Sequence, residues 1–198
     1  TKDVTAASAE YTPQKPDPTE RSTEYIRESD LEEAVKLIKE SSRPFIFVGG
    51  GAVISDADQE LKELADKLHA PVADSLMGKG AYSGASDLYC GMLGMHGTKA
   101  ANLGVTRCDL LIVVGSRFSD RVVGQARSFA KNAKIIQIDV DPAEINKNIL
   151  VDCSIIGDVR EDGLAALIEE LWFDGPKAEP SGQDLGSAWA QIESAGGQ

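Results

Sequence analysis

The segment that decides the fold is Leu110-Leu111-Ile112-Val113-Val114, which is followed at once by Gly115-Ser116-Arg117. An uninterrupted apolar run of this kind, rich in β-branched residues, is typical of a parallel strand that is buried on both faces. A second run, Pro44-Phe45-Ile46-Phe47-Val48, ends in Gly49-Gly50-Gly51. Glycine permits the tight backbone conformations of a strand-to-helix turn, so both runs are predicted to lead into such turns.

Shorter apolar segments extend this pattern along the chain. They predict strands at residues 71–74, 135–138 and 153–156, whereas the Gly-rich residues 75–95 are predicted to be irregular. Apolar residues at helical spacing predict helices after Ser29 and Ser55, over residues 99–106 and 143–147, and after Asp158. Strands that alternate with helices predict an α/β fold, a doubly wound, Rossmann-like parallel sheet flanked by helices in three α/β/α layers.

Composition divides the chain into three parts. Residues 1–28 carry prolines among Ser, Thr, Glu and Lys, a composition typical of a linker. Residues 29–172 hold the predicted strands and helices and form the expected domain. Residues 173–198 are rich in Gly, Pro and Ser, with one weak helical pattern at residues 185–192, and are predicted to be a second linker.

The charge of the chain limits its partners. Its 198 residues include 20 Lys and Arg against 32 Asp and Glu, for a net charge of -12. Nucleic acids and anionic membranes require a basic surface, so neither is expected as a partner. No apolar run reaches the roughly 18 residues that a membrane span needs. The N-terminus at Thr1 is polar and has no apolar signal core, and the missing Met suggests a fragment. A cytoplasmic protein is expected from its cysteines, whose pattern favours reduced thiols.

The cysteines and histidines indicate neither a metal site nor a catalytic group. Cys90, Cys108 and Cys153 are an odd number without a CxxC pair, which favours reduced thiols over a disulfide framework or a zinc site. His96 has no visible partner for general base chemistry, and His69 fits the C-terminus of a helix. No catalytic residue and no metal ligand is therefore assigned.

Ligands of open parallel sheets bind outside the carboxyl ends of the strands, so the residues that follow each strand are the candidates. Gly49, Gly50 and Gly51 suit either an anion held by backbone N–H groups or a plain turn, and their spacing is not the GxGxxG pattern of NAD sites. Asp139 suits ribose hydroxyls or a turn. Asp158 is more often a helix cap than a ligand contact at such a position.

Basic residues concentrate after the strand that decides the fold. Residues 115–134 contain five cations, Arg117, Arg121, Arg127, Lys131 and Lys134, and one anion, Asp120, which sums to +4 in a chain of -12. The planar fork of arginine donates paired hydrogen bonds to a diphosphate. The alternative is an ordinary solvated surface, which is less expected for the two arginines that directly follow the strand. The residues together predict a nucleotide-binding α/β domain with an anionic ligand.

Four segments closely resemble the central domain of the acetohydroxyacid synthase (acetolactate synthase) large subunit. They are Ser75-Leu76-Met77-Gly78-Lys79-Gly80, Gly91-Met92-Leu93-Gly94-Met95-His96-Gly97, Gly115-Ser116-Arg117-Phe118-Ser119-Asp120-Arg121-Val122, and Ile138-Asp139-Val140-Asp141-Pro142-Ala143-Glu144-Ile145-Asn146-Lys147. The resemblance extends in order from about Ser29 to Leu171. Its two departures are Ser119, where the family usually has Asp, and Ser116, where Ala is frequent.

The resemblance implies a function for each part of the chain. Family members condense pyruvate with pyruvate or 2-oxobutyrate, with loss of carbon dioxide, in branched-chain amino acid synthesis. Thiamine diphosphate and Mg²⁺ bind in the flanking domains, to which residues 1–28 and 173–198 would lead, and the central domain over residues 29–172 binds FAD, which takes no net redox part. The isolated chain is then expected to be inactive. The implied FAD contacts, carried over by position, are Gly49, Gly50, Gly51, Ser75, Leu76, Met77, Leu93, Gly94, Met95, His96, Gly115, Ser116, Arg117, Arg121, Val122, Asp139, Val140, Asp158 and Val159.

The resemblance also implies partners and leaves alternatives. The full enzyme would be a homodimer or homotetramer, with or without a small regulatory subunit, and this chain would contact the flanking domains of its own polypeptide. One alternative is the central domain of a related thiamine-diphosphate enzyme that binds ADP or no nucleotide. Another is an NAD-dependent deacylase, which shares the sheet topology but normally has a four-cysteine zinc site that three cysteines do not provide.

Overall fold

Six parallel strands form one sheet in the part of the chain that the structure, a computed structural model, describes, namely residues 26–126 and 128–173. The strand order is β3-β2-β1-β4-β5-β6, so the order reverses between the two central strands. This is the doubly wound, Rossmann-like topology that the alternating pattern predicts, and the fold prediction is confirmed. The strands are β1 Pro44–Val48, β2 Val72–Asp74, β3 Tyr89–Met92, β4 Leu110–Val114, β5 Lys134–Asp139 and β6 Cys153–Ile156.

The strand register aligns the carboxyl ends of the strands. Val48 at the end of β1 lies opposite both Asp74 of β2 and Val114 of β4. Val114 in turn lies opposite Ile138, the penultimate residue of β5. The loops that follow β1, β2, β4 and β5 therefore leave the sheet at one edge and at nearly one level, where a ligand of this fold binds.

Helices cover both faces of the sheet and complete the three layers. Their bounds are α1 Glu28–Glu40, α2 Gly50–Ile54, α3 Asp58–Leu68, α4 Lys99–Arg107, α5 Asp120–Val123 and α6 Ala166–Phe173, with 3₁₀ turns at Leu76–Gly78 and Pro142–Glu144 and a π-helical segment at Val159–Ala165. One core cluster packs α1, α3 and α6 against residues such as Ile46, Ile112 and Ile136. The other packs α4 against Phe47 and Val113, which alternate with the first set along their strands.

Two predicted helix starts are wrong. The first helix begins at Glu28 rather than after Ser29, without a side-chain cap, and Glu28 and Asp30 place negative charge in its first turn instead. Ser55 caps the C-terminus of α2 rather than starting the next helix, and its hydroxyl donates to the carbonyl oxygen of Gly51 over 2.7 Å. The next helix, α3, begins three residues later, at Asp58.

Two further local predictions also differ from the structure. Residues 75–95, predicted to be irregular, contain the edge strand β3, whose half-buried residues and left-handed Gly91 (φ 89°) mask any alternating pattern. Residues 143–147 do not form a helix. Asp141 caps a single 3₁₀ turn through the N–H of Ala143, and Asn146 adopts a positive φ of 59° that no helix continues through.

The remaining predictions on elements are met or fall outside the described residues. The strands predicted around residues 71–74, 135–138 and 153–156 and the helix predicted over residues 99–106 are present, and His69 follows the last residue of α3. The predictions on residues 1–25, on the terminal linker from residue 174 and on the weak helix at residues 185–192 lie outside the described residues.

Candidate functional site

The loops after β1 and β4 pack backbone against backbone. The N–H of Gly49 donates to the carbonyl oxygen of Val114 over 2.8 Å, and the N–H of Gly51 donates to that of Gly115 over 2.9 Å. A Cβ atom on Gly49 would lie 2.3 Å from the carbonyl oxygen of Gly115, and a Cβ atom on Gly51 would lie 2.7 Å from the Cα of Gly115. Gly115 itself has a left-handed φ of 57°. The close contact between the two loops leaves no room for a side chain at Gly49 or Gly51. This supports the turn interpretation for these two residues.

The loop after β2 presents apolar side chains beside that contact. The N–H of Ser75 donates to the carbonyl oxygen of Val48 over 2.8 Å, and the hydroxyl of Ser75 accepts from Gly78. A Cβ on Gly78 would lie 2.4 Å from the oxygen of Val48, so the turn lies close against β1. Leu76 and Met77, in the middle of this turn, are 71% and 75% exposed. Apolar side chains held this far into solvent suit a ligand or another protein surface.

The loop after β3 carries a second exposed methionine, Met95, which is 71% exposed, next to the exposed His96. Leu93 is buried, and its N–H donates to the carbonyl oxygen of Asp74 over 2.8 Å. Asn102 of α4 holds Gly94, donating to its oxygen over 3.1 Å and accepting from its N–H over 3.3 Å. Sequence reasoning missed Asn102, because a polar residue in a helix gives no sign of the loop that it contacts.

The loop after β4 exposes both candidate arginines while its other residues are fixed. Phe118 is buried and packs edge-on against Phe129 at 5.8 Å, and its carbonyl oxygen accepts from Asn148 over 2.7 Å. Arg117 and Arg121, on either side of that anchor, are exposed and make no ion pair within the described residues. Two arginines without counterions on a fixed loop are suited to an anionic ligand.

The other residues of the basic segment do not join this pair, or lie outside what is described. Lys134 begins β5 at the opposite, amino end of the sheet and pairs with Asp152 at 2.7 Å. Arg127 lies outside the described residues. Ser116, the residue that precedes Arg117, is buried, and Val122 is half-buried in α5.

Asp139 is a buried carboxylate, 8% exposed, at the end of β5. Its Oδ1 accepts from the N–H of Asp141 over 3.0 Å, as a turn aspartate does. Burial raises the pKa of Asp139 above its ordinary value, with hydrogen bonds from the backbone acting in the opposite direction. The following Val140 is exposed. Both interpretations of Asp139, turn residue and ribose acceptor, are compatible with this geometry.

Asp158 acts as a helix cap. Its Oδ1 accepts from the N–H groups of Arg160 and Glu161 over 2.9 and 3.1 Å, which confirms the capping interpretation. Val159 is buried in the core, so any ligand contact at this residue would involve its main chain. A role of Asp158 and Val159 in ligand binding stays a prediction.

No group of three His, Cys, Asp or Glu side chains in the described ranges is arranged to hold a metal ion. The three cysteines are free thiols. Burial raises the pKa of Cys108 to about 12 and that of Cys153 to about 11, so both stay protonated and unreactive at neutral pH. Over the same ranges, no helix combines the length and apolar character that crossing a membrane requires.

Comparison with known proteins agrees with this fold. Residues 31–167 match a family model described as "Thiamine pyrophosphate enzyme, central domain". The chain is 52% identical over 153 residues to a "Probable acetolactate synthase large subunit" of Methanocaldococcus jannaschii, covering 73% of this chain and 26% of the relative. It is 46% identical over 160 residues to the "Acetolactate synthase large subunit" of Pyropia yezoensis, covering 80% of this chain and 27% of that relative. With the "Acetolactate synthase" of Arthrospira platensis the identity is 43% over 167 residues, covering 81% and 29%. The chain thus spans about a quarter of the length of these relatives.

Proposed function

Because the chain belongs to the thiamine pyrophosphate enzyme family, as its central domain, we propose that it is the FAD-binding central domain of an acetolactate synthase large subunit. The names of its relatives support the choice of enzyme, since identities of 43–52% extend over most of this chain. The choice of ligand is supported by the residues at the carboxyl edge of the sheet.

The observation that carries the proposal is the combination of unpaired arginines and exposed apolar side chains at one edge. Arg117 and Arg121 suit the diphosphate at the middle of FAD. Leu76, Met77 and Met95, all more than two-thirds exposed, suit a flat apolar ring at one end of such a ligand. Asp139, at the end of β5 on the other side of the arginine loop, suits the ribose hydroxyls at the other end. The residues present therefore fit a long dinucleotide with an anionic centre.

The activity of the full enzyme follows as part of the same proposal. It would condense pyruvate with pyruvate or 2-oxobutyrate, and bound thiamine diphosphate with Mg²⁺ would supply the carbanion chemistry from the flanking domains. The enzyme would be cytoplasmic and a homodimer or homotetramer, with or without a small regulatory subunit, and this chain would bind its own flanking domains rather than nucleic acid or a membrane.

Titration of the purified chain with FAD tests the ligand. We expect the flavin fluorescence to change saturably, and ADP and FAD to compete for one site. Substitution of both arginines, Arg117→Ala with Arg121→Ala, should weaken both ligands, whereas the matched pair Lys36→Ala with Lys62→Ala, on α1 and α3, should weaken neither. Binding of ADP without FAD would support the related-enzyme alternative, and binding of neither would contradict a nucleotide site.

A further inference from the structure

Three side chains outside the proposed ligand contacts form a hydrogen-bonded group, here called the Asp74 triad. The hydroxyl of Tyr89 donates to Oδ2 of Asp74 over 2.7 Å. The ammonium group of Lys79 lies 3.3 Å from Oδ1 of Asp74 and 3.2 Å from the Tyr89 oxygen. Asp74 ends β2, Lys79 follows the next turn and Tyr89 begins β3, so the pairing of β2 with β3 brings the three side chains together.

The triad lies at the base of both apolar loops. Asp74 ends β2, one residue before the turn that carries Leu76 and Met77, and Lys79 directly follows that turn. Tyr89 begins β3, which leads to Leu93 and Met95. The backbone of Asp74 also accepts the N–H of Leu93. Its side chain and its backbone therefore join the two loops at one residue.

The burial of Asp74 makes its hydrogen-bond donors necessary. The Asp74 side chain is only 4% exposed, and a buried carboxylate is tolerated where donors compensate it. Lys79 and Tyr89 are those donors. The hydrogen bond that Lys79 donates to the Tyr89 oxygen, together with interactions with Asp74, raises the pKa of Lys79, although burial opposes this. Burial, and after it the bond to Asp74, raises the pKa of Tyr89. Both donors keep their protons at neutral pH, so the junction is complete under ordinary conditions.

We propose that the Asp74 triad is a positioning element that sets the spacing between the Leu76–Met77 turn and the Leu93–Met95 loop. It thereby determines the affinity for the flavin end of the ligand and leaves the adenosine diphosphate end unaffected. The second statement rests on the proposed function, whereas the first concerns the chain without ligand. Arg117 and Arg121 follow β4 and Asp139 ends β5, and none of them is a hydrogen-bond partner of the triad among the described residues.

The sharpest variant is Tyr89→Phe, which removes one hydroxyl and keeps the ring in the sheet. Its matched control is Tyr82→Phe, because the Tyr82 hydroxyl contacts Ser86 instead, at 3.0 Å. We expect Tyr89→Phe to weaken FAD about tenfold, since a bond to a charged partner is lost, and to change ADP less than about twofold. Hydrogen exchange of the chain without ligand should become faster at residues 76–80 and 93–95. Tyr82→Phe should show neither effect.

The double variant Asp74→Asn with Lys79→Gln removes both charges together and leaves no buried charge unpaired. This double variant should reproduce the loss of FAD affinity with unchanged ADP affinity. Lys79→Arg, which keeps a charged donor, should retain most of the wild-type FAD affinity. Wild-type exchange rates in Tyr89→Phe would overturn the positioning role whether or not FAD binds. FAD affinity equal to wild type, or equal losses for FAD and ADP, would overturn the role at the flavin end. A wild-type chain that binds no FAD would contradict the proposed function instead, and the exchange rates would still decide the positioning role.

Discussion

The N–H of Met95 donates a hydrogen bond to the carbonyl oxygen of Arg121 over 3.1 Å. This bond joins the loop that exposes an apolar side chain to the loop that exposes the candidate arginines. Gly94, between Met95 and the buried Leu93, lies close against the same carbonyl group. The two halves of the proposed ligand site are thus in direct backbone contact, and the spacing between these halves depends on this main-chain bond and not on the Asp74 triad.

Gly94→Ala should destabilise the chain more than a glycine substitution without a neighbour. A Cβ at Gly94 would lie 2.8 Å from the oxygen of Arg121, in a backbone conformation with φ 108°. Gly80 has a similar φ of 100° but nothing within 4 Å of an added Cβ, so Gly80→Ala isolates the backbone strain. We expect losses of about 3 kcal/mol for Gly94→Ala and about 1 kcal/mol for Gly80→Ala, measured by urea unfolding. Equal losses of unfolding free energy would show that the backbone at Arg121 moves to accommodate the added Cβ at little cost.

Arg117→Ala should weaken FAD binding about tenfold or more, because a charge-assisted hydrogen bond contributes roughly 1.5–3 kcal/mol. Lys134→Ala is the control, since Lys134 pairs with Asp152 at the other end of the sheet. Calorimetric titration of both variants gives the two dissociation constants. If both variants bind FAD with one affinity, the ligand site has been placed at the wrong edge.

Asp109 should make the stability of the chain depend on acid pH. Its carboxylate accepts from the Ser41 hydroxyl and from the N–H groups of Ser42 and Arg43. Burial alone would raise its pKa, but these hydrogen bonds outweigh burial and hold the pKa of Asp109 below its ordinary value. A carboxylate with a lowered folded pKa contributes stability above its unfolded pKa of about 3.9, and this contribution is lost as the pH falls through the folded pKa.

The matching variant is Asp109→Asn, which should lose about 1–2 kcal/mol at pH 7 and have a flatter stability profile at acid pH than wild type. Asp66→Asn removes a carboxylate that pairs with Lys62 on the surface and should change little. Urea unfolding at a series of pH values measures both. If the free energy of unfolding of Asp109→Asn depends on pH as in wild type below pH about 5, Asp109 does not contribute to acid unfolding.

ADP should recover an unusually large share of the FAD affinity in this chain. The proposed contacts of the adenosine diphosphate half lie on loops fixed by backbone packing, around Gly49, Gly51 and Phe118. Met77 and Met95 are exposed, and ordering them on the flavin ring would subtract from the binding free energy. Calorimetry with both ligands compares the two affinities. Submicromolar FAD binding with undetectable ADP binding would mean that the ring site is preformed.

Local sequence signals were sufficient for the central strands. β1 and β4 are uninterrupted apolar runs, which are typical of strands buried on both faces. β3 gave no such signal, because it lies at the edge of the sheet and each of its residues is half-buried. The capping-box spacing of Ser29 and Glu32 and the hydroxyl of Ser55 suggested helix starts, but the first helix begins at Glu28 without a side-chain cap and the hydroxyl of Ser55 bonds back to Gly51.

The sequence predicts where the candidate site lies but not the residues that hold its loops in place. The rule that ligands bind at the carboxyl ends of parallel strands located Arg117, Arg121 and Asp139, and the register places those ends at one level. Asn102, Asp74 and Tyr89 act on residues 8 to 15 positions away. No local pattern in the sequence specifies such contacts, which depend on how β2, β3 and α4 pack.

The irregular edge strand has a consequence for handling the chain apart from any partner. β3 is the last strand on one side of the sheet among the described residues, and its pairing with β2 shifts register between Val72 and Ala73, opposite the left-handed Gly91. A neighbouring molecule that adds a strand needs a flat, continuous row of N–H and C=O groups, and this edge does not offer one. Concentrated solutions of the chain should therefore resist sheet-to-sheet aggregation at β3, and replacing Gly91 by a residue that favours extended backbone would weaken this protection.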